Sequence, residues 1–370
     1  MINVTKTYLP PLEEYYGYLK QIWERGWVTN NGPLVMELER RLKEYLGVKH
    51  LIFCSNGTIA LQIAIKAMGL KKEILTTPFS YVASVNSILW ENCTPVFVDI
   101  DPQTFCIDAS KIEAAITENT EAILAVHVYG IPCDVNAIQS IANKHKLKVI
   151  YDGAHAFGVK LNGTSIFNCG DVSTVSFHAT KLFHTVEGGA IITNDDELAE
   201  QMELHRQFGH RYDNYLSLGV NGKNSEMHAA MGLCNLPRVN DLIESRRSAT
   251  ALYDQLLSVL SLQKPVRPDK LDYNYSYYPC VFRNEEEVQR VIAQLAEVSV
   301  VPRRYFYPAL NSISHTKGKK MPVAESVATR VLCLPLYAEM ETHDIELICE
   351  SVSFAVQEKP AAAMSKSKVL

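Results

Sequence analysis

The chain has 370 residues, 47% of them apolar and 21% charged, with 36 Lys+Arg against 41 Asp+Glu and a formal net charge of −5. This is the balance of a folded globular protein of about two domains, at roughly 100–200 residues each, and it excludes disordered, collagen-like and coiled-coil chains. The acidic surplus argues against nucleic acid as a partner, and without a run of about 18 apolar residues no membrane span is expected.

The opening stretch up to Pro11 has no basic segment followed by an apolar one, so no signal peptide is expected. Residues 34–47 place Leu34, Leu38, Leu42, Tyr45 and Leu46 at helical spacing, with Gly47 as a stop. A short apolar strand, His50–Ser55, and a helix, Ile59–Gly69, follow. Glu73–Thr76, a helix over Tyr81–Trp90, and Pro95–Val98 come next. Ala122–Val128 and Lys148–Tyr151 read as buried strands flanking a helix at Val135–His145, and Val172–Ser176 and Ala190–Thr193 complete the series. Short β-branched strands alternating with helices predict a mostly parallel sheet covered on both faces. From about Ser245 the pattern becomes a long helix, an aromatic stretch Tyr273–Phe282, and helices at Glu286–Val298 and Asp344–Val356. The expectation is therefore a large α/β domain over 1–245 with an N-terminal arm, and a smaller α+β domain over 246–370 that ends in a frayed tail from Glu358.

Nine cysteines are scattered with no Cys-x-x-Cys pair, as expected of reduced thiols in a cytoplasmic protein. The histidines have no zinc spacing, and no metal is expected. Seventeen of the 18 glycines lie at or before Gly232, which places the chemistry in the first domain.

Four segments there carry it. Ser55-Asn-Gly-Thr-Ile-Ala-Leu61 is a polar turn entering a helix, suited to a phosphate and equally to plain helix capping. Lys148-Val-Ile-Tyr-Asp-Gly-Ala-His155 puts Asp152 and His155 just past the C-terminal end of a strand, where α/β sheets bind ligands. A carboxylate there can hold a cationic ring nitrogen and the histidine a phenolic oxygen, unless the two are merely a turn Asp and a capping His. Ser173-Thr-Val-Ser-Phe-His-Ala-Thr-Lys-Leu-Phe-His-Thr-Val-Glu-Gly-Gly-Ala190 wedges Lys181 between aromatics and a Gly-Gly turn, the setting of a Schiff-base lysine, with Ser176 in reach of a phosphate. Gly219-Val-Asn-Gly-Lys-Asn-Ser-Glu226 is a polar turn before an apolar helix. Phosphate turn, aspartate and lysine in that order fit pyridoxal phosphate, which needs a lysine and an acidic partner for its ring nitrogen.

With these motifs, with Gly26-Trp-Val-Thr-Asn-Asn-Gly-Pro33 and with Arg303-Arg-Tyr-Phe-Tyr-Pro308, the chain resembles the DegT/DnrJ/StrS family of pyridoxal-phosphate sugar aminotransferases over nearly its whole length. The resemblance implies the aspartate aminotransferase-like fold type I and a homodimer with shared active sites. It makes Lys181 the Schiff-base lysine and proton shuttle, Asp152 the partner of the pyridine nitrogen, and His155 the partner of the ring oxygen, where many relatives have Gln. It gives Gly57, Thr58 and Ser176 to the phosphate, Tyr81 to the ring face, and Asn221 to the phosphate of the partner subunit's site. Lys223 would lie near the substrate. His178 and His184 read either as contacts to the sugar nucleotide or as packed histidines. Among Arg303, Arg304, Lys319 and Lys320, Arg304 is the expected pyrophosphate contact. Trp27 and Tyr307 read as core or interface aromatics.

The family moves the amino group of L-glutamate to a nucleotide-linked keto-sugar. Ser-Phe-His-Ala-Thr-Lys is similar to members that act at C4, in particular those making dTDP-4-amino-4,6-dideoxy-D-glucose from dTDP-4-keto-6-deoxy-D-glucose, as in lipopolysaccharide O-antigen biosynthesis. Action at C3, the galacto epimer, another nucleotide, a dehydratase of the same fold and a non-catalytic sensor are the alternatives. Lys181 speaks against the dehydratase, in which a histidine replaces the lysine.

Overall fold

The computed structural model describes residues 1–316 and 318–357; the expected frayed tail lies outside the described residues. A seven-stranded sheet forms the centre, in the order His50–Cys54, Gly189–Thr193, Val172–Ser176, Lys148–Asp152, Thr120–Val126, Glu73–Thr76, Thr94–Phe97. Every neighbouring pair is parallel except those made by Gly189–Thr193, which runs antiparallel to both its neighbours. The fold is the expected α/β architecture with a mixed, mostly parallel sheet.

The pleat explains why both faces are apolar. Along His50–Cys54, Leu51 and Phe53 join one buried cluster with Leu38, Phe177 and Leu233, while Ile52 and Cys54 join another with Ala60, Ile63 and Met202. Successive side chains leave a strand on opposite faces, so a strand covered on both sides must be apolar throughout. Helix Pro33–Leu46 supplies the first cover through Leu34, Leu38, Leu42 and Leu46, and ends at Gly47, whose φ of 64° is the left-handed cap that glycine takes without strain.

The second unit is built on the antiparallel pair Tyr278–Val281 and Val331–Leu334, packed by helices Val239–Leu256, Glu285–Glu297 and Thr342–Gln357 around Tyr253, Cys280, Val291, Leu332 and Ile348. Helix Val239–Leu256 runs unbroken across residues 245 and 246. The N-terminal arm crosses between the units. Ile2–Asn3 pairs in parallel with Val300–Val301, and Val4 accepts from the Leu336 N–H. Farther along, the Thr7 hydroxyl donates to the Ala179 carbonyl at 3.0 Å. Helices Leu12–Arg25, Ala109–Ala115, Asp196–Arg206 and Pro322–Arg330 are additional to the predicted elements.

Candidate active site

A cavity of about 660 Å³ opens beyond the C-terminal ends of strands Lys148–Asp152 and Val172–Ser176. Parallel neighbours end at the same edge of the sheet, and the loops leaving them splay to opposite faces, so a crevice forms where they part. Gly57, Thr58, Tyr81, Asp152, His155, Ser176, His178 and Lys181, which the sequence spreads over more than a hundred positions, all line it.

Asp152 is the last residue of its strand and 6% exposed. Its Oδ2 accepts from the Ser84 hydroxyl at 2.7 Å and its Oδ1 from the Ala154 N–H at 3.0 Å, while the Ser80 hydroxyl lies 2.9 Å from that of Ser84. Burial raises its pKa, against which the Ser84 and Ala154 hydrogen bonds and the Lys181 charge pull down. A carboxylate so desolvated is stabilised by any cation placed in the cavity. His155 is held neutral, its pKa well below the ordinary value through burial first and the Lys181 charge second. The Tyr129 N–H donates to its Nδ1 at 3.2 Å. A neutral imidazole that accepts at Nδ1 carries its hydrogen on Nε2, leaving that nitrogen as a donor.

Lys181 is held by a loop with an aromatic anchor. The rings of Phe157 and Phe183 stack at 4.5 Å, Phe177 meets Phe183 edge-on at 5.0 Å, and Leu182 is also buried. Burying two such side chains contributes roughly 3–6 kcal/mol. The loop closes through Phe177 N–H to Gly188 O and Thr185 N–H to Phe177 O. The Glu-Gly-Gly motif serves packing: a Cβ on Gly189 would stand 2.6 Å from the Gly57 backbone nitrogen. The Lys181 Nζ donates to the Tyr277 hydroxyl at 3.3 Å.

The opposite wall is the start of helix Gly57–Ala67. Asn56 caps it, its side chain accepting from the Ile59 N–H. The N–H groups of Gly57 and Thr58 have no intrahelical acceptor, and the helix dipole adds positive potential there. A Cβ on Gly57 would come within 3.1 Å of Ser176 Cβ, so glycine lets the helix start approach the strand end. Ser176 Oγ accepts weakly from the His178 N–H at 3.4 Å, leaving its own hydrogen to donate. An anion cradle, a buried carboxylate, a neutral donor and a lysine around one cavity fit pyridoxal phosphate.

Four expected residues lie elsewhere. His184 is buried, its Nε2 against the Tyr8 carbonyl at 2.6 Å and near the Asn235 amide at 3.2 Å, which is the packed arrangement. Burial lowers its pKa. Arg304 is turned away from the cavity, donating to Glu285 at 2.9 Å and to the Thr329 carbonyl at 2.8 Å, with its guanidinium over the Tyr307 ring. Its neighbour Arg303 lines the cavity instead. Asn221 and Lys223 bond each other at 2.9 Å on the segment facing Gln207 and Phe208, outside the cavity. Burial, with Arg206 nearby, lowers the pKa of Lys223. Tyr81 and His178 sit at the mouth and are exposed; His178 pairs with Thr180 at 2.8 Å and lies 3.6 Å from Glu187. Tyr307 is half exposed, and Trp27 donates to the Thr29 carbonyl.

Sequence reasoning missed Ser84, Tyr277, Tyr305 and Phe306, of which all but Ser84 line the cavity. Three of them come from the second unit, for which the glycine distribution gave no signal. The nine cysteines are free. Cys54, at the end of the strand next to the cavity, is pushed up to about 12 by burial and is no nucleophile. Among the described residues, no helix is long and apolar enough to cross a membrane.

The family model for DegT/DnrJ/EryC1/StrS aminotransferases matches residues 12–353. The chain is 42% identical over 360 residues to a dTDP-4-amino-4,6-dideoxy-D-glucose transaminase of Shigella dysenteriae, covering 95% of this chain and 98% of that one. It is 39% identical to an Escherichia coli protein of the same name, over 92% and 94% of the two chains. Among solved structures, DesI in the presence of its TDP-sugar product superposes with a TM-score of 0.92 at 30% identity, over 96% of this chain and 93% of that one.

Proposed function

The chain belongs to the DegT/DnrJ/EryC1/StrS aminotransferase family, and from that premise we propose that it transfers the amino group of L-glutamate to C4 of dTDP-4-keto-6-deoxy-D-glucose, with pyridoxal phosphate as cofactor. The products are dTDP-4-amino-4,6-dideoxy-D-glucose and 2-oxoglutarate. The observation that carries the reading is the convergence of Asp152, His155, Lys181 and the Gly57–Thr58 helix start on one cavity. The choice of sugar follows the names of the Shigella and Escherichia relatives.

Bound pyridoxal phosphate supplies an electron sink that lets the Cα–H bond of an amino acid break. Asp152, with both oxygens already positioned by hydrogen bonds, would keep the ring nitrogen protonated. His155 Nε2–H would donate to the ring oxygen. The N–H groups of Gly57 and Thr58 and the Ser176 hydroxyl would hold the phosphate, and Tyr81 at the mouth would cover the ring. Lys181 anchors the cofactor and, once its amine is free, takes the proton from one carbon and returns it to another. Of the two adjacent arginines, Arg303 is the one to meet a substrate anion, and His178 with Glu187 borders the sugar.

Asn221 and Lys223 act in a second copy's site in this reading. Their segment exposes Phe208, Tyr212, Tyr215, Leu216 and Leu218, the last 72% accessible, and an apolar patch of that kind is covered by association. A homodimer with shared sites, working in the cytoplasm where nine free thiols persist, in the supply of deoxysugars for O-antigen, completes the proposal.

The test is the visible spectrum of the purified protein loaded with pyridoxal phosphate, before and after L-glutamate, followed by product analysis by NMR. A yellow band that glutamate bleaches, and an equatorial C4 amine on the dTDP-sugar, are expected. A protein that takes up no cofactor overturns the reading from Lys181 outward. Activity confined to a 3-keto sugar, or to a GDP- or UDP-linked one, overturns the substrate.

A further inference from the structure

The described polar partner of the Lys181 amine comes from the other unit of the chain. Tyr277 stands one residue before strand Tyr278–Val281, and its hydroxyl accepts from Lys181 Nζ at 3.3 Å. The ring also meets His155 edge-on with centroids 5.0 Å apart, so one side chain touches two residues of the cofactor site. It lines the main cavity and the small pocket behind the lysine.

The backbone that carries this ring is fastened where it passes the site. The Ser276 hydroxyl donates to the His155 carbonyl at 2.6 Å, and the Asn274 amide donates to the carbonyls of His155 and Phe157 at 2.8 and 3.0 Å. Arg246, fully buried and with no carboxylate partner among the described residues, donates to the Ser276 carbonyl at 3.1 Å. Burial pushes its guanidinium down to about 10. A buried guanidinium with no carboxylate partner is costly, and here it lies beside the segment that carries Tyr277.

We propose that Tyr277 is a positioning residue for the transfer, whose hydroxyl oxygen holds the Lys181 amine so that its lone pair faces the cavity when it acts as a base. A lysine amine hangs on a flexible stem with considerable rotamer freedom, and most of its orientations point the lone pair away from a bound substrate. A hydrogen bond from one N–H to a fixed oxygen restricts that choice. In the transfer, the lone pair of Nζ would take the proton from the substrate Cα, and the cofactor, when bound, would accept the electron pair that the C–H bond leaves. The resulting ammonium keeps its hydrogen bond to Tyr277 and gives the proton up at the second carbon. Tyr277 retains its own proton throughout. This inference rests on the transaminase reading above.

Tyr277→Phe removes one oxygen from a well-packed ring, and two measurements follow. In single-turnover experiments with L-glutamate, the variant is expected to bleach the yellow band about tenfold more slowly with unchanged glutamate affinity, the size of effect expected for losing one charge-assisted hydrogen bond at the reacting nitrogen. Substituting 2-deutero-glutamate should slow the variant by a larger factor than the parent. Independently of turnover, the pH at which the visible band of the loaded protein changes should fall by about one unit, because an oxygen acceptor favours a protonated nitrogen at this position. Asp152, His155, His178, Glu187, Arg303 and the tyrosines at 81 and 305, which line the cavity with Lys181, are the same in both proteins. A variant whose bleaching rate and spectral midpoint both match the parent overturns the role of Tyr277. A parent protein with no glutamate-responsive band overturns instead the transaminase reading on which it rests.

Discussion

Two regions named by the sequence for the same cofactor have opposite physical characters. The edge of the sheet around Asp152, His155 and Lys181 is held by its own chain: Asp152 and His155 are buried and hydrogen-bonded, and the loop of the half-buried Lys181 is anchored by Phe157, Phe177 and Phe183. The segment from Gln207 to Lys223 projects apolar side chains into solvent, and its polar residues Asn221 and Lys223 bond each other. The contrast shows how a single chain divides its work. Asp152 and His155 are enclosed by their own fold, where desolvation shifts them. Asn221 and Lys223, proposed to serve a second copy, instead lie on a segment with an exposed apolar surface.

The comparison can be broken at its strongest point by Lys181→Ala. The variant is expected to lose the yellow band and more than about 10⁴-fold in turnover, since covalent attachment and proton transfer vanish together; an active variant would remove Lys181 from the chemistry. Asp152→Asn should cost about a hundredfold in kcat, the equivalent of a charge-assisted hydrogen bond at the ring nitrogen. Near-parent kcat there would mean another group protonates the ring. On the exposed side, the double replacement Leu216→Asp with Leu218→Asp should weaken self-association at least about tenfold, because each buried leucine contributes roughly 1.5–3 kcal/mol. Sedimentation equilibrium reads this directly, and an unchanged mass would dissociate this segment from the proposed dimer.

The smallest effect concerns pH. His127, stacked on Tyr151 behind Asp152 and accepting from the Cys133 N–H, is pushed down to about 3 by burial. Below pH 6.5 the unfolded chain binds a proton that this ring refuses in the fold. Stability is therefore lost as pH falls from 6.5 toward 3, by up to about 1.4 kcal/mol per unit from this group. His155 and His184, lowered in the same direction, add to the slope. Thermal melts from pH 7 to 5 should be flatter in His127→Asn than in the parent; equal slopes would mean that His127 protonates without unfolding.

Why some of this was legible in the sequence, and the rest not, follows from how each feature is encoded. Short segments rich in β-branched residues mark buried strands, and Val172–Ser176 and Glu73–Thr76 have the bounds that this pattern predicts. The order of phosphate turn, aspartate and lysine is local chemistry at successive strand ends, and the sheet brings those ends together. Arg303 and Arg304 show the limit. Arg303 bridges Cys333 in extended backbone, where adjacent side chains leave on opposite sides. One arginine reaches the cavity and the other Glu285, and composition is identical for both choices. Ser84 could have been sought one helical turn after Tyr81, but its target, Asp152, is a tertiary neighbour. Tyr277 lay within a stretch recognised only as aromatic. His184 differs from His155 through the acceptor it meets, the Tyr8 carbonyl of the arm.

That arm has a consequence in time. Ile2–Asn3 can pair with Val300–Val301 only after the ribosome has delivered the later strand. At about 5–20 residues per second, the interval is roughly 15–60 s. The same arm carries the carbonyl that receives His184 and the hydroxyl that bonds Ala179, on either side of Lys181. Those two contacts can form once residues 179–184 have been made, whereas the strand pairing that fixes the arm's first residues waits for the second unit.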